Sequence, residues 1–182
     1  MKVGIIGAGS VTLDFADRAA KSGHEVLISN PRGIHTLKEV VLKMGSNVKL
    51  ASTQEAAAAE IIILFLSRED LEVSISNLPD MEGKIILHTN NPIFNLESFS
   101  PSSEPKSSSE IVAELLPKAH IVKIFNTIGA VIVTPEKEAE NKTKIFFSVA
   151  NKKVKNSVKA FLETLNFSGI DLALLKQLNA LN

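Results

Sequence analysis

The first thirty-three residues, MKVGIIGAGSVTLDFADRAAKSGHEVLISNPRG, restrict the fold more than any other stretch. Lys2 to Ile6 is a short apolar run, Gly7-Ala8-Gly9 follows it, and Val11, Phe15 and Ala19 then recur at helical spacing as far as Gly23. This is the order strand, glycine turn, helix, and His24 to Ser29 reads as a second strand that completes a βαβ unit. Gly7 permits the tight turn and Gly9 lets the backbone come close to a pyrophosphate. The new helix offers that anion unpaired N–H groups and the positive end of its dipole. Gly7, Ala8, Gly9, Ser10 and Val11 are therefore candidate pyrophosphate contacts. Thr12 stands where the G-x-G-x-x-G pattern has its third small residue.

The end of the second strand bears on which dinucleotide would fit. An NAD site usually places an acid there to accept from the ribose 2′-hydroxyl, whereas a 2′-phosphate needs donors and positive charge. The residues here are Ser29, Asn30, Pro31, Arg32 and Gly33, without an acid. Arg32 can offer its planar fork to phosphate oxygens, with Ser29 and Asn30 as neutral donors, so NADP(H) is the expected cofactor.

A chain of 182 residues is long enough for one domain with a substantial core, and residues 1–182 are read as a single nucleotide-binding domain. Lys plus Arg equals Asp plus Glu at 20 each, which leaves no overall field to attract nucleic acid or an anionic membrane. Cysteine is absent, excluding disulfides and thiolate chemistry. No apolar run approaches membrane-spanning length, and the N-terminus enters a strand at once. The expectation is a soluble, cytoplasmic protein.

Further along, Thr36-x-x-Glu39 predicts a capped helix to about Met44, Asn47 to Ala51 a third strand, and Ser52-x-x-Glu55 a short Ala-rich helix. Ile61 to Leu66 is an almost unbroken aliphatic run, the pattern of a central parallel strand covered on both faces. Ser67-x-x-Asp70 predicts another capped helix, Lys84 to Leu87 a fifth strand, and Ser107-x-x-Glu110 a helix through Leu116. His120 to Phe125 and Lys144 to Ala150 read as strands, Lys152 to Leu165 as an amphipathic helix, and Ile170 to Leu178 as a terminal strand or helix. The Ser- and Pro-rich stretch 94–109 reads as a flexible surface loop. Alternation of strand and helix predicts a three-layer α/β fold of the Rossmann type: a doubly wound, mainly parallel sheet of about seven to eight strands.

These pieces together resemble the family of NADP oxidoreductases dependent on coenzyme F420, the deazaflavin hydride carrier. The resemblance rests on VGIIGAGSV at 3–11, GHEVLISNPRG at 23–33, IIILFLS at 61–67, TNNP at 89–92 and, most specifically, VKIFNTIGA at 122–130. It implies that the glycine turn holds the pyrophosphate and that Ser29, Asn30 and Arg32 hold the 2′-phosphate. It also places Leu66, Ser67, Asn91, Pro92, Phe125, Asn126 and Thr127 around the nicotinamide. The second substrate would be F420 or a flavin, and the protein a homodimer. The chain departs from the family at Pro31, often Ser; at Ser67-Arg68, where many relatives carry Pro and an aromatic; and at His88-Thr89-Asn90, usually Asp-Ala-Thr.

Hydride transfer between two carriers needs facing geometry and dry walls more than acid–base groups. Tyr is absent, and the four histidines, His24, His35, His88 and His120, show no metal-ligand spacing, so no metal site is expected. His88, beside a strand terminus, is the one candidate catalytic residue; core hydrogen bonding is the other reading of it. Two further functions remain open at this level: a non-catalytic NADP(H)-binding redox sensor, and a reductase of small carbonyl or imine substrates.

Overall fold

The computed structural model describes residues 1–33, 35–90, 106–125 and 142–172. In chain order these form β1 (Lys2–Ile6), α1 (Ser10–Lys21), β2 (Glu25–Ser29), α2 (Lys38–Lys43), β3 (Val48–Leu50), α3 (Thr53–Ala57) and β4 (Ile61–Leu64). They continue with α4 (Leu71–Ser76), β5 (Ile85–His88), α5 (Ser108–Leu115), β6 (His120–Phe125), β7 (Thr143–Ser148), α6 (Lys152–Thr164) and β8 (Phe167–Asp171). The strands make one sheet in the order β3-β2-β1-β4-β5-β6-β7-β8, a Rossmann arrangement extended at one edge.

Alternate residues of each central strand supply the two covered faces. Val3, Ile5, Ile61 and Ile63 point to one side, where Phe15, Ala16 and Ala19 of α1 and Val154, Val158 and Phe161 of α6 pack. Ile6, Ile62, Leu64 and Ile86 point to the other, against Ala56 and Ala57 of α3, Leu71 and Ile75 of α4 and Val112 of α5. This double coverage explains the unbroken aliphatic run of β4, because no position on it faces water. Among the described residues no helix is long and apolar enough to cross a membrane.

The capping boxes at Ser52 and Ser107 form as the sequence predicts, each serine hydroxyl accepting from the N–H three residues on. Two other predicted caps do not. Helix α2 begins at Lys38 after a 3-10 turn over His35–Leu37, so Thr36-x-x-Glu39 does not open it. A 3-10 turn over Arg68–Asp70 likewise precedes α4, and Ser67 makes no cap there. The strand β7 runs antiparallel to β6, against the parallel pairing that uniform alternation predicts. An antiparallel neighbour needs no crossover helix. The last strand, β8, ends at Asp171, earlier than predicted; residues 173–182, and the predicted loop as far as 105, lie outside the described residues.

The Ala-rich sequence of α3 has a packing cause. A side chain at Gly4, in the middle of β1, would place its Cβ 1.9 Å from the carbonyl oxygen of Ala56, so the α3 backbone lies directly on β1. Small residues on both elements permit that approach, and Ala56, Ala57 and Ala59 are at most 1% exposed. Gly4→Ala forces the two backbones apart and is expected to cost about 3 kcal/mol of stability, read as a lower denaturant midpoint at unchanged slope.

Candidate functional site

The sheet register brings three strand ends together. Ile6 of β1 pairs with Ser29 of β2 on one side and with Leu64 of β4 on the other. The Gly7 N–H donates to the Ser29 carbonyl at 2.8 Å, and the Phe65 N–H donates to the Ile6 carbonyl at 2.9 Å. Gly7 has φ +90°, and a Cβ there would fall 1.6 Å from the Phe65 carbonyl oxygen, so both backbone conformation and space demand glycine. A Cβ at Gly9 would lie 2.9 Å from the Phe65 ring, which rests on the turn.

Thr12 is fully buried and completes the turn. Its Oγ1 accepts the Gly9 N–H at 2.9 Å and shares its proton between the carbonyls of Gly7, at 3.1 Å, and Gly9, at 3.0 Å. The third small residue of the sequence pattern is thus replaced by a hydroxyl that braces the same loop. Beyond it, the first-turn N–H groups of Ser10 and Val11 have no intrahelical acceptor, no side chain caps them, and α1 carries no acid in its first turn. By contrast α3, α5 and α6 are closed by Ser52, Ser107 and Asn151. The open N-terminus fits an anion, and a pyrophosphate suits it.

The residues after β2 meet the turn after β4. The Ser29 hydroxyl lies 2.8 Å from that of Thr53, and the Asn30 amide donates to the Gly33 carbonyl at 2.9 Å. Arg32 donates through Nε to Asp70 at 2.7 Å and through Nη2 to the Ser67 hydroxyl at 2.8 Å, and Ser67 donates to Asp70 at 2.6 Å. The Ser67 hydroxyl, then Arg32, hold the Asp70 carboxyl below its usual range. An acid is therefore present beside Arg32, although none stands at the end of β2. It escapes a sequence reading because it arrives from 38 residues away, in a Ser-x-x-Asp pattern that looks like a helix cap.

Leu66 and Ser67 part company. Ser67 sits with Arg32, while both backbone groups of Leu66 are taken by the Asn90 side chain, whose Oδ1 accepts the Leu66 N–H at 3.1 Å and whose Nδ2 donates to the Leu66 carbonyl. Asn90 thereby extends the β4–β5 pairing past the strand ends, a role its position just after a strand could have suggested. Asn91, Pro92, Asn126 and Thr127 lie outside the described residues.

His88 is buried at the end of β5, on the face covered by α5. Its Nδ1 shares a hydrogen bond with the Ser109 hydroxyl at 3.0 Å, and its Nε2 has no hydrogen-bond partner among the described residues. Burial, and secondarily the charge of Lys123 paired with it on β6, lower its pKa to about 4. The ring is neutral at pH 7.

Two outcomes are expected. The unfolded chain protonates His88 near its ordinary value of 6.5, whereas the native state resists until about pH 4. Stability therefore falls as pH drops through that window, by about 3 kcal/mol from this group alone. Denaturation curves across the window should show a shallower slope for His88→Gln. Thr12→Val strands the Gly9 N–H and should cost about 1–3 kcal/mol, measured the same way.

Similarities to known proteins identify the family and the fold. Residues 2–92, half of the chain, match the family described as NADP oxidoreductase, coenzyme F420-dependent. The structure is similar to that of protein SMa0349 from Sinorhizobium meliloti, at 27% identity and TM-score 0.74, covering 94% of this chain and 85% of that one. It is also similar to a protein from Arthrobacter sp. FB24 described as an F420-dependent NADP-reductase, at 26% identity and TM-score 0.69, covering 94% and 84%. Metalloreductase STEAP3 of Rattus norvegicus is 28% identical over 130 residues, 71% of this chain, and the chain spans only 25% of that protein's length. The chain belongs to the family of coenzyme F420-dependent NADP oxidoreductases.

Proposed function

We propose that the protein binds NADP(H) across the carboxyl edge of β2, β1 and β4 and passes a hydride between the nicotinamide and a flavin or deazaflavin partner such as F420. The observation that carries this reading is the uncapped, acid-free start of α1 beside the Gly7 turn, with Arg32 reaching over from the end of β2. An anion at the helix start and a second anion at Arg32 are what a 2′-phosphorylated dinucleotide presents.

In this reading Ser10 and Val11 hold the pyrophosphate through their N–H groups, aided by the α1 dipole, and the Thr12 hydroxyl keeps the turn in shape for them. Arg32 takes the 2′-phosphate, with Ser29 and Asn30 alongside. The nicotinamide supplies the hydride chemistry when bound. Asn90 fixes Leu66, so the ends of β4 and β5 form one wall, proposed to face the nicotinamide half. Asn91, Pro92, Asn126 and Thr127 belong to that half in this proposal, which for them rests on the sequence motifs alone. Neutral, buried His88 supports the packing of α5 onto that wall through Ser109. A neutral His88 suits transfer between two carriers, which requires no proton at the reacting atom.

Calorimetric titration with NADPH and with NADH tests the reading. NADPH should bind at least tenfold more tightly, about 1.4 kcal/mol, and Arg32→Ala should abolish the difference. Loss of nicotinamide absorbance on adding F420 or FMN should follow. Tight binding with no transfer to any acceptor would favour a redox sensor, and failure of both nucleotides to bind would overturn the reading.

A further inference from the structure

In the sheet, β2 and β4 lie on opposite sides of β1. A side-chain contact between the loop after β2 and the turn after β4 must therefore pass above the end of β1, where Gly7, Ala8 and Gly9 sit. Arg32, Ser67 and Asp70 make that contact as a closed ring of three hydrogen bonds. The guanidinium uses Nε and Nη2, the edge that grips a carboxylate or a phosphate side-on. Both Arg32 and Ser67 donate to the same oxygen, Asp70 Oδ2. Asp70, together with the Ser67 hydroxyl it holds, thus occupies the phosphate-gripping edge of Arg32, between the loops on either side of β1.

We propose that Asp70 is a specificity-determining residue of the nucleotide site: it holds the side-on edge of Arg32 in the free protein, and a 2′-phosphate must take that edge from it. The inference rests on the NADP(H) reading and deepens it. Two anions cannot share one guanidinium edge without repulsion, so binding of the phosphorylated nucleotide exchanges carboxylate for phosphate. The exchange is feasible because the pair is open to water, with the Arg32 side chain 64% and that of Asp70 33% exposed. Asp70 keeps the Ser67 hydroxyl after Arg32 leaves. A nucleotide with a free 2′-hydroxyl does not need Arg32, and a carboxylate is a natural acceptor for that hydroxyl. Asp70 consequently narrows the preference for NADPH over NADH.

The test is calorimetric titration of wild type, Asp70→Asn, Arg32→Ala and the double variant with NADPH, NADH, adenosine 2′,5′-bisphosphate and adenosine 5′-monophosphate. Asp70→Asn should tighten both 2′-phosphorylated ligands about threefold, leave the other two unchanged or weaker, and lose its effect in the Arg32→Ala background. In nitrogen-15 spectra the Arg32 Nε–H should shift on adding the bisphosphate to wild type and start from a different position in Asp70→Asn. Weaker NADPH binding by Asp70→Asn would show that Asp70 supports Arg32 instead of competing for its ligand, and equal gains for all four ligands would show a bulk charge effect; either overturns the proposal. The NADP(H) reading fails separately, in wild type alone, if the 2′-phosphorylated ligands bind no better than their counterparts.

Discussion

The missing side chain at Gly7 sets the geometry on which the carboxyl edge of the sheet depends. The Phe65 carbonyl oxygen occupies the place where a Cβ would project, and the left-handed backbone of Gly7 turns the chain from β1 into α1 in the same step. Because that turn is so tight, α1 starts immediately above the strand end, and its first N–H groups face the gap between the loops that follow β2 and β4. The placement of the uncapped helix start is thus a consequence of a steric requirement one strand away.

Thr12 shows how a departure from a familiar pattern is absorbed. A glycine at that position would leave the Gly9 N–H to water or ligand, whereas the threonine hydroxyl satisfies it and holds two carbonyls of the turn. One donor is withdrawn from any bound phosphate and the loop becomes better braced, with Ser10 and Val11 still open. The second departure, Ser67 after β4, is likewise absorbed into a polar contact, with Arg32 and Asp70. At both positions a side-chain hydroxyl makes hydrogen bonds where the family pattern has none to offer.

At the other end of the edge the polar side chains after β4 and on the end of β5 are uncharged, with the Lys123 ammonium beside them on β6. His88 is deprotonated by burial, Asn90 spends its amide on the Leu66 backbone, and Thr89 donates to the Leu64 carbonyl at 3.2 Å. The Arg32–Asp70 ion pair and the neutral His88 and Asn90 therefore lie at different strand ends of one row.

What the sequence determined by itself was set by short-range physics. The β1 turn, the two capping boxes at Ser52 and Ser107 and the aliphatic run of β4 were legible, because each depends on residues within a few positions or on a face periodicity that double burial enforces. The tertiary structure alone decided the direction of β7, the 3-10 turns that displace the predicted caps at Thr36 and Ser67, and the meeting of Arg32 with Asp70. Ser52-x-x-Glu55 and Ser67-x-x-Asp70 are the same pattern, yet only the first caps a helix. An arginine delivered by β2 gives the second a different partner, and no local propensity encodes which strands lie on either side of β1.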